Sequence, residues 1–236
     1  MHALFFDPID AADFQNGAYA NKSRLFLFCR HDRNYPCVLA LKDRGDNPLR
    51  DGKKLWTQAG LGLSGYGKPF NERLGNTPQG VQLVDSVMPE ADQYEDYGQF
   101  RRMILEFPES SKNETEMRRL LPSASTVSDW WRESAIARDI GRGELRIHGT
   151  GSRNDYPQTL FYPFIATIGC VAQLELKYGD INYIDQRHLL DHVMQAEGLE
   201  PKFANEPSIR ALLYVIDIDD QKRAVTPADL ARYGIE

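Results

Sequence analysis

The sequence predicts a mainly β or α+β fold. Three observations carry that expectation. Segments rich in β-branched and aromatic residues recur at Ser23–Phe28, Val38–Leu41, Gly80–Met88 and Ile209–Ile218. Helical patterning is confined to 112–141 and Asp185–Ala196. Helices are therefore inserted between and after strands, and do not alternate with them as in a βαβ fold.

In chain order, residues 1–22 are polar, lack a clear period and read as an N-terminal extension. Ser23–Phe28 and Val38–Leu41 read as strands, and 43–54, rich in Asp, Gly, Asn and Lys, as a loop. Leu55–Leu63 reads as a further strand. Val81, Leu83 and Val87 alternate along Gly80–Met88, the pattern of a half-buried strand. Pro89–Tyr97 is acidic and turn-like, and Arg102–Phe107 a short strand. In 112–141, Thr126 or Ser128 caps a helix through Trp130, Trp131, Ile136 and Ile140, ended by Gly141. Leu145–His148 returns to strand. Tyr162–Ala172 is a long apolar run, too aromatic and β-branched to assign as helix. Asp185–Ala196 is amphipathic, with Leu189, Leu190 and Val193 on one side. Thr226-Pro227-Ala228-Asp229 has the form of a helix cap with proline first.

The chain of 236 residues carries 42% hydrophobic and 26% charged residues, ordinary values for a globular protein. A net charge of -6 and a pI near 5.5 argue against nucleic acid as the main partner. No run of about 18 apolar residues exists, so no membrane span is expected. The first residues lack a basic stretch followed by an apolar one, so no signal peptide is visible. The expectation is either a cytosolic protein or a chain that begins after a removed signal. Of three cysteines, Cys29 and Cys37 flank the polar stretch Arg30–Pro36. If their strands form a hairpin, the two face each other. Either they form a disulfide, which indicates an oxidising compartment, or they are unrelated strand residues.

Chemistry concentrates in two short segments, Leu145-Arg-Ile-His-Gly-Thr-Gly151 and Thr167-Ile-Gly-Cys-Val171. They supply a base, His148, and a nucleophile, Cys170. Thiolate is the reactive form of cysteine, and an imidazole can generate it near neutral pH. Gly169 lets the chain turn tightly in front of Cys170 and turns backbone N–H groups toward a reacting carbonyl. A lone cysteine in an apolar run is more often an inert core residue, so the pairing with His148 carries the argument.

These two segments, with the upstream Asn76-Thr-Pro-Gln-Gly80, resemble the L,D-transpeptidase catalytic domain, the YkuD family, over roughly residues 23–218. The resemblance implies a β-sandwich with inserted and C-terminal helices, the segment 112–141 forming a helical insert that serves as a flap, and 219–236 a C-terminal extension. It implies a cysteine acyltransferase that needs no cofactor or metal and acts on peptidoglycan stem peptides in the periplasm or cell envelope. Cys170 would attack the amide after the third stem residue and release the terminal D-amino acid. The thioester would pass to an amine, forming a cross-link, or to water, making the enzyme an L,D-carboxypeptidase. His148 would be oriented by the Gly149 carbonyl. Gly169 and Cys170 would supply oxyanion N–H groups, and Thr150 and Thr167 would shape the site. Thr77, Pro78 and Gly80 match a motif whose role is architectural.

The sequence departs from the family at Ala172, where an Arg or Asn is usual. Arg142, Arg146 or Arg153 then become candidates for binding a substrate carboxylate. The spacing from His148 to Cys170 is also long, which makes Ser152–Tyr162 a loop at the site rim.

Other motifs are weaker. Gly60, Gly62 and Gly65 satisfy Gly-x-Gly-x-x-Gly, but Tyr-Gly-Lys-Pro-Phe-Asn is a poor helix start, so a glycine-rich hairpin turn is the better reading. His188 and His192 share a helix face without an evident third metal ligand. Asp217, Asp219 and Asp220 lack a calcium-loop pattern, and no Gly-x-Ser-x-Gly elbow exists. Trp130, Trp131, Tyr94, Tyr97 and Tyr162 suit either a core or a groove for carbohydrate or peptide. A non-catalytic envelope-binding protein on the same fold is therefore the competing expectation.

Overall fold

The computed structural model describes residues 21–87, 102–107, 131–143, 145–150, 157–175, 177–178, 181–182, 184–233 and 235. The extension before residue 21, the acidic turn at 89–97 and most of the helical insert lie outside the described residues.

Twelve strands and two α-helices are described: β1 (Ser23–Arg30), β2 (Cys37–Lys42), β3 (Arg50–Asp51), β4 (Lys54–Leu55), β5 (Thr57–Gly60), β6 (Gly80–Val87), β7 (Met103–Glu106), α1 (Arg132–Asp139), β8 (Leu145–Thr150), β9 (Val171–Leu174), β10 (Lys177–Tyr178), β11 (Ile181–Asn182), α2 (Asp185–Ala196) and β12 (Arg210–Asp219). The predicted β1–β2 hairpin forms, with Leu27 opposite Leu39, and a disulfide joins Cys29 to Cys37 at its turn end. The stretch 43–54, read as a loop, contains the small β3–β4 ladder.

The mainly β expectation holds. The resemblance implies two facing sheets, whereas the structure has one eight-stranded mixed sheet in the order β5-β2-β1-β12-β6-β7-β8-β9. The last strand, β12, slots parallel to β1 and antiparallel to β6, which welds early and middle strands into one surface. That sheet rolls until its ends meet. Leu61 and Ala172 exchange backbone hydrogen bonds of 3.1 and 2.8 Å, and Gln58 Nε2 donates to Gln173 Oε1 at 2.5 Å. Gly60, Gly62 and Gly65 belong to this seam and not to a hairpin turn, because Gly60 ends β5 and Gly65 N–H donates to the Thr167 carbonyl at 2.7 Å.

Alternation along each strand separates two apolar faces. The inner face carries Leu25, Leu27, Leu39, Leu213, Val215, Met103, Ile147 and Val171. It closes over Leu189, Leu190, Val193 and Met194 of α2. Truncating such a fully buried leucine to alanine costs roughly 2–5 kcal/mol. The outer face of β1, β2 and β12, with Phe26, Phe28, Tyr214 and Ile216, is covered by Trp131 and by Val225, Leu230, Tyr233 and Ile235. The C-terminal segment is thus part of the core. It is tied by Arg30, fully buried, whose guanidinium reaches Asp219 at 2.6 Å and Asp229 at 2.8 Å. Where a helix cap is expected, Thr226 and Asp229 form a capping box on a short 3-10 turn at Pro227–Asp229.

Candidate active site

β8 and β9 run parallel, with Ile147 opposite Val171, His148 opposite Ala172 and Gly149 opposite Gln173. Ile147 and Val171 face inward. Alternation therefore puts His148 and Ala172 on the outer face; Cys170 lies in the turn that leads into β9, where the Arg146 backbone N–H reaches its sulfur. His148 is 3% exposed and Cys170 6%. The His148 Nδ1 lies 3.0 Å from the Gly149 carbonyl. A carbonyl only accepts, so Nδ1 carries the proton and Nε2 is the basic nitrogen.

The turn before Cys170 is held from both sides. The Thr167 hydroxyl donates to the Cys170 carbonyl at 2.8 Å and accepts the Gly169 N–H at 3.3 Å. Thr77 Oγ1 donates to the Gly169 carbonyl at 2.8 Å. Gly169 has φ +113, and a Cβ there would lie 2.2 Å from Arg142 Nη2 and 2.8 Å from the Gly75 carbonyl. Only glycine fits. Of the two N–H groups expected to bind an oxyanion, that of Gly169 donates to the Thr167 hydroxyl. Thr150 lies beyond His148, and its hydroxyl donates to the Gln173 carbonyl at 3.3 Å, closing the β8–β9 ladder. Arg153 lies outside the described residues.

Positive charge gathers around the thiol. Arg142 is buried, and its guanidinium donates to the carbonyls of Phe70, Gly75 and Asn76, at 2.5, 2.8 and 2.9 Å. Those bonds clamp the 70–76 loop against the Cys170 turn. Burial lowers the Arg142 pKa, and the neighbouring Cys170 opposes that shift. Arg102 was not among the residues singled out by the motifs. In the antiparallel β7–β8 ladder Met103 faces Ile147, and extending that register by one residue brings Arg102 opposite His148. The alternation of Arg102 with inward-facing Met103 is the signal available in sequence, but its neighbour is set by strand pairing alone. Burial pushes the Cys170 pKa up to about 11. The Arg146 backbone N–H donates to its sulfur, and Arg146, Arg142 and Arg102 pull in the opposite direction by their charge. The resting group is a thiol, so reaction requires a base.

Ala172 has a local reason. It packs with Leu61, Leu63, Phe164 and Leu174 at the seam, where a guanidinium would lose its water. The other motifs resolve differently. His192 stacks on Trp56 at 4.8 Å, and its Nδ1 lies 2.6 Å from the His188 carbonyl. Among the described residues no group of three metal-ligating side chains exists, and no helix is long and apolar enough to cross a membrane. Trp131 is core, Tyr162 half-buried, and Tyr94, Tyr97 and Trp130 fall outside the described residues.

No family model, curated protein or solved structure matches this chain.

Proposed function

We propose that this protein is an L,D-transpeptidase-like cysteine acyltransferase acting on peptidoglycan stem peptides in the periplasm or cell envelope. One observation carries the reading: His148 pairs with Ala172 of β9, two positions past Cys170 in the turn that leads into that strand, and the His148 Nδ1 is held by the Gly149 carbonyl. In this reading His148 Nε2 takes the thiol proton as sulfur attacks the amide carbonyl. The Cys170 N–H and the surrounding guanidinium charge stabilise the oxyanion. Collapse breaks the C–N bond, the leaving amine takes the proton from His148, and a thioester remains. A stem amine attacks that thioester to give a cross-link, or water gives hydrolysis. Arg146 and Arg102 take the role of the charged residue absent at 172. The Cys29–Cys37 bridge supports an oxidising compartment.

A second reading is favoured by two observations, the elevated thiol pKa and the occupied Gly169 N–H. In it the protein binds envelope peptides without turning them over. Intact-protein mass after exposure to a carbapenem, with Cys170→Ala in parallel, separates the two. A single adduct on the parent and none on the variant is expected. An unmodified parent would sink the acyl-transfer reading and leave the binding one.

A further inference from the structure

Helix α1 lies in the last part of the predicted helical insert, and its first turn is fastened to the segment that carries Thr77. Glu133, in that turn, accepts from the Gln79 backbone N–H at 2.8 Å through Oε2 and from the Gln79 side-chain Nε2 at 3.0 Å through Oε1. The next residue, Ser134, donates its hydroxyl to the Gln79 carbonyl at 2.7 Å. The helix packs so closely that a Cβ at Gly80, where φ is +126, would stand 2.1 Å from Ser134 Oγ and 2.8 Å from the Trp131 carbonyl. Gln79 Oε1 accepts the Asp217 N–H at 3.0 Å. Gln79 is buried, and each of its polar groups has a partner.

This grip sits close to the support of the nucleophile. Pro78 alone separates Thr77 from Gln79, and its ring fixes φ, so a shift of Gln79 passes to Thr77 with little to absorb it. The Thr77 hydroxyl in turn holds the carbonyl of Gly169, the residue before Cys170. On the other side, Arg33 Nη2 donates to the Thr77 carbonyl at 3.4 Å and lies 2.6 Å from Asp217 Oδ1. Asp217 thus closes a ring of contacts back to Gln79. Just past the end of α1, Arg142 holds the Phe70, Gly75 and Asn76 carbonyls. The two ends of one short helix therefore fix both ends of the 70–79 segment, against which the Cys170 turn rests. Burial raises the Glu133 pKa, and the two bonds from Gln79 oppose that shift. The charge of Asp217 adds to the rise and that of Arg33 works against it. A half-buried carboxylate of this kind depends on its N–H donors to offset lost hydration.

We infer that Glu133 is a positioning residue for Cys170, acting through Gln79 and Thr77 on the turn at Gly169. Its effect on acylation rests on the acyl-transfer reading; its hold on the turn does not.

The test is a double-variant cycle of Glu133→Ala and Thr77→Val, read by carbapenem acylation of Cys170 and, separately, by its alkylation with iodoacetamide. Glu133→Ala should lower the maximal acylation rate about tenfold, the scale of a small misplacement, and leave the half-saturating carbapenem concentration unchanged. In the Thr77→Val background the same change should cost less than about twofold, because both act on one turn; independent effects would multiply to about a hundredfold. Glu133→Gln keeps an acceptor for the Gln79 backbone N–H and serves as the milder variant if alanine fails to fold; its rate should fall between parent and Glu133→Ala. Alkylation should move the other way, rising about tenfold as a loosened turn uncovers the thiol, with no further rise in the double variant. Losses that multiply in folded protein, an effect on half-saturation alone, or Glu133 variants that acylate and alkylate like the parent would each overturn the assignment. A parent that forms no adduct ends the acyl-transfer reading, and the alkylation cycle then decides the role of Glu133 by itself.

Discussion

Thr77 and Gly169 stand 92 positions apart in sequence and are joined by a buried hydrogen bond of 2.8 Å from the threonine hydroxyl to the glycine carbonyl. The bond ties the Thr-Pro-x-Gly segment to the turn that presents Cys170. Thr77→Val keeps the shape and removes the donor. The expected cost is about 1–2 kcal/mol in stability, as for a buried carbonyl left unpaired. Carbapenem acylation should slow by about tenfold, the scale of a small misplacement of the nucleophile. Unchanged acylation kinetics would show that Thr77 does not position the thiol.

Cys170 titrates upward because burial favours its neutral form, to about 11 against an ordinary value of 9.0. Iodoacetamide labelling of the native protein should therefore climb with pH beyond 9. The fold holds the proton more tightly than the unfolded chain does. Stability from this group is complete below pH 9 and is lost as pH rises through about 11. A labelling midpoint below pH 8 would contradict the buried thiol.

Glu175 repeats the argument nearer neutrality. Burial raises its carboxyl to about 8, against the pull of the Arg187 and Gln186 backbone N–H groups at the start of α2. Its contribution is complete below pH 4.5 and is lost as pH rises through about 8. Glu175→Gln should match the parent at pH 4 and melt at a higher temperature at pH 8. A parallel pH profile for the two proteins, measured by thermal unfolding, would reject this.

Asp229 holds the C-terminal segment to Arg30. Burial works to raise its pKa, but hydrogen bonds from Arg223 and Thr226 and the charge of Arg30 outweigh it, and the carboxyl titrates below the usual range. Its stabilisation is present above the ordinary carboxylate range and fades as pH falls through the lowered pKa. Asp229→Asn should cost about 3 kcal/mol, the scale of breaking one partner from a buried ion pair. Urea unfolding at pH 7 measures it, and a loss under 1 kcal/mol would mean that Asp219 alone satisfies Arg30.

Local pattern revealed some of this architecture. Asp185–Ala196 is helical over the expected range because its apolar residues recur at helical spacing and fill the rolled sheet. β1, β2, β6 and β12 follow from β-branched and aromatic runs. The apolar run Tyr162–Ala172 is different. Residues 162–170 are turns and irregular chain, and strand begins at Val171. A continuous apolar run has no period to report its conformation, and here Phe164 and Ala166 pack over the seam instead of pairing in the sheet. The roll of the sheet, the clamp of Arg142 on the 70–76 loop and the approach of Arg102 to His148 depend on partners distant in sequence. His148 and Cys170 were legible as residues; that His148 pairs with the strand that Cys170 leads into follows from the parallel register of β8 and β9.

The meeting of β5 with β9 has a consequence for solubility. An open sheet of this size would present two unpaired edges, each a template for a strand from another molecule. Here the bridge of Leu61, just past β5, to Ala172 of β9 brings the two edges against each other. A side chain at Gly60 would put its Cβ 2.6 Å from Gln173 Nε2 and displace the end of that side chain, which accepts from Gln58 across the join. Gly60→Val would then lose a side-chain bond across the join while the Leu61–Ala172 backbone pairing remains, so a rise in self-association should be small beside that of a variant that breaks the backbone pairing.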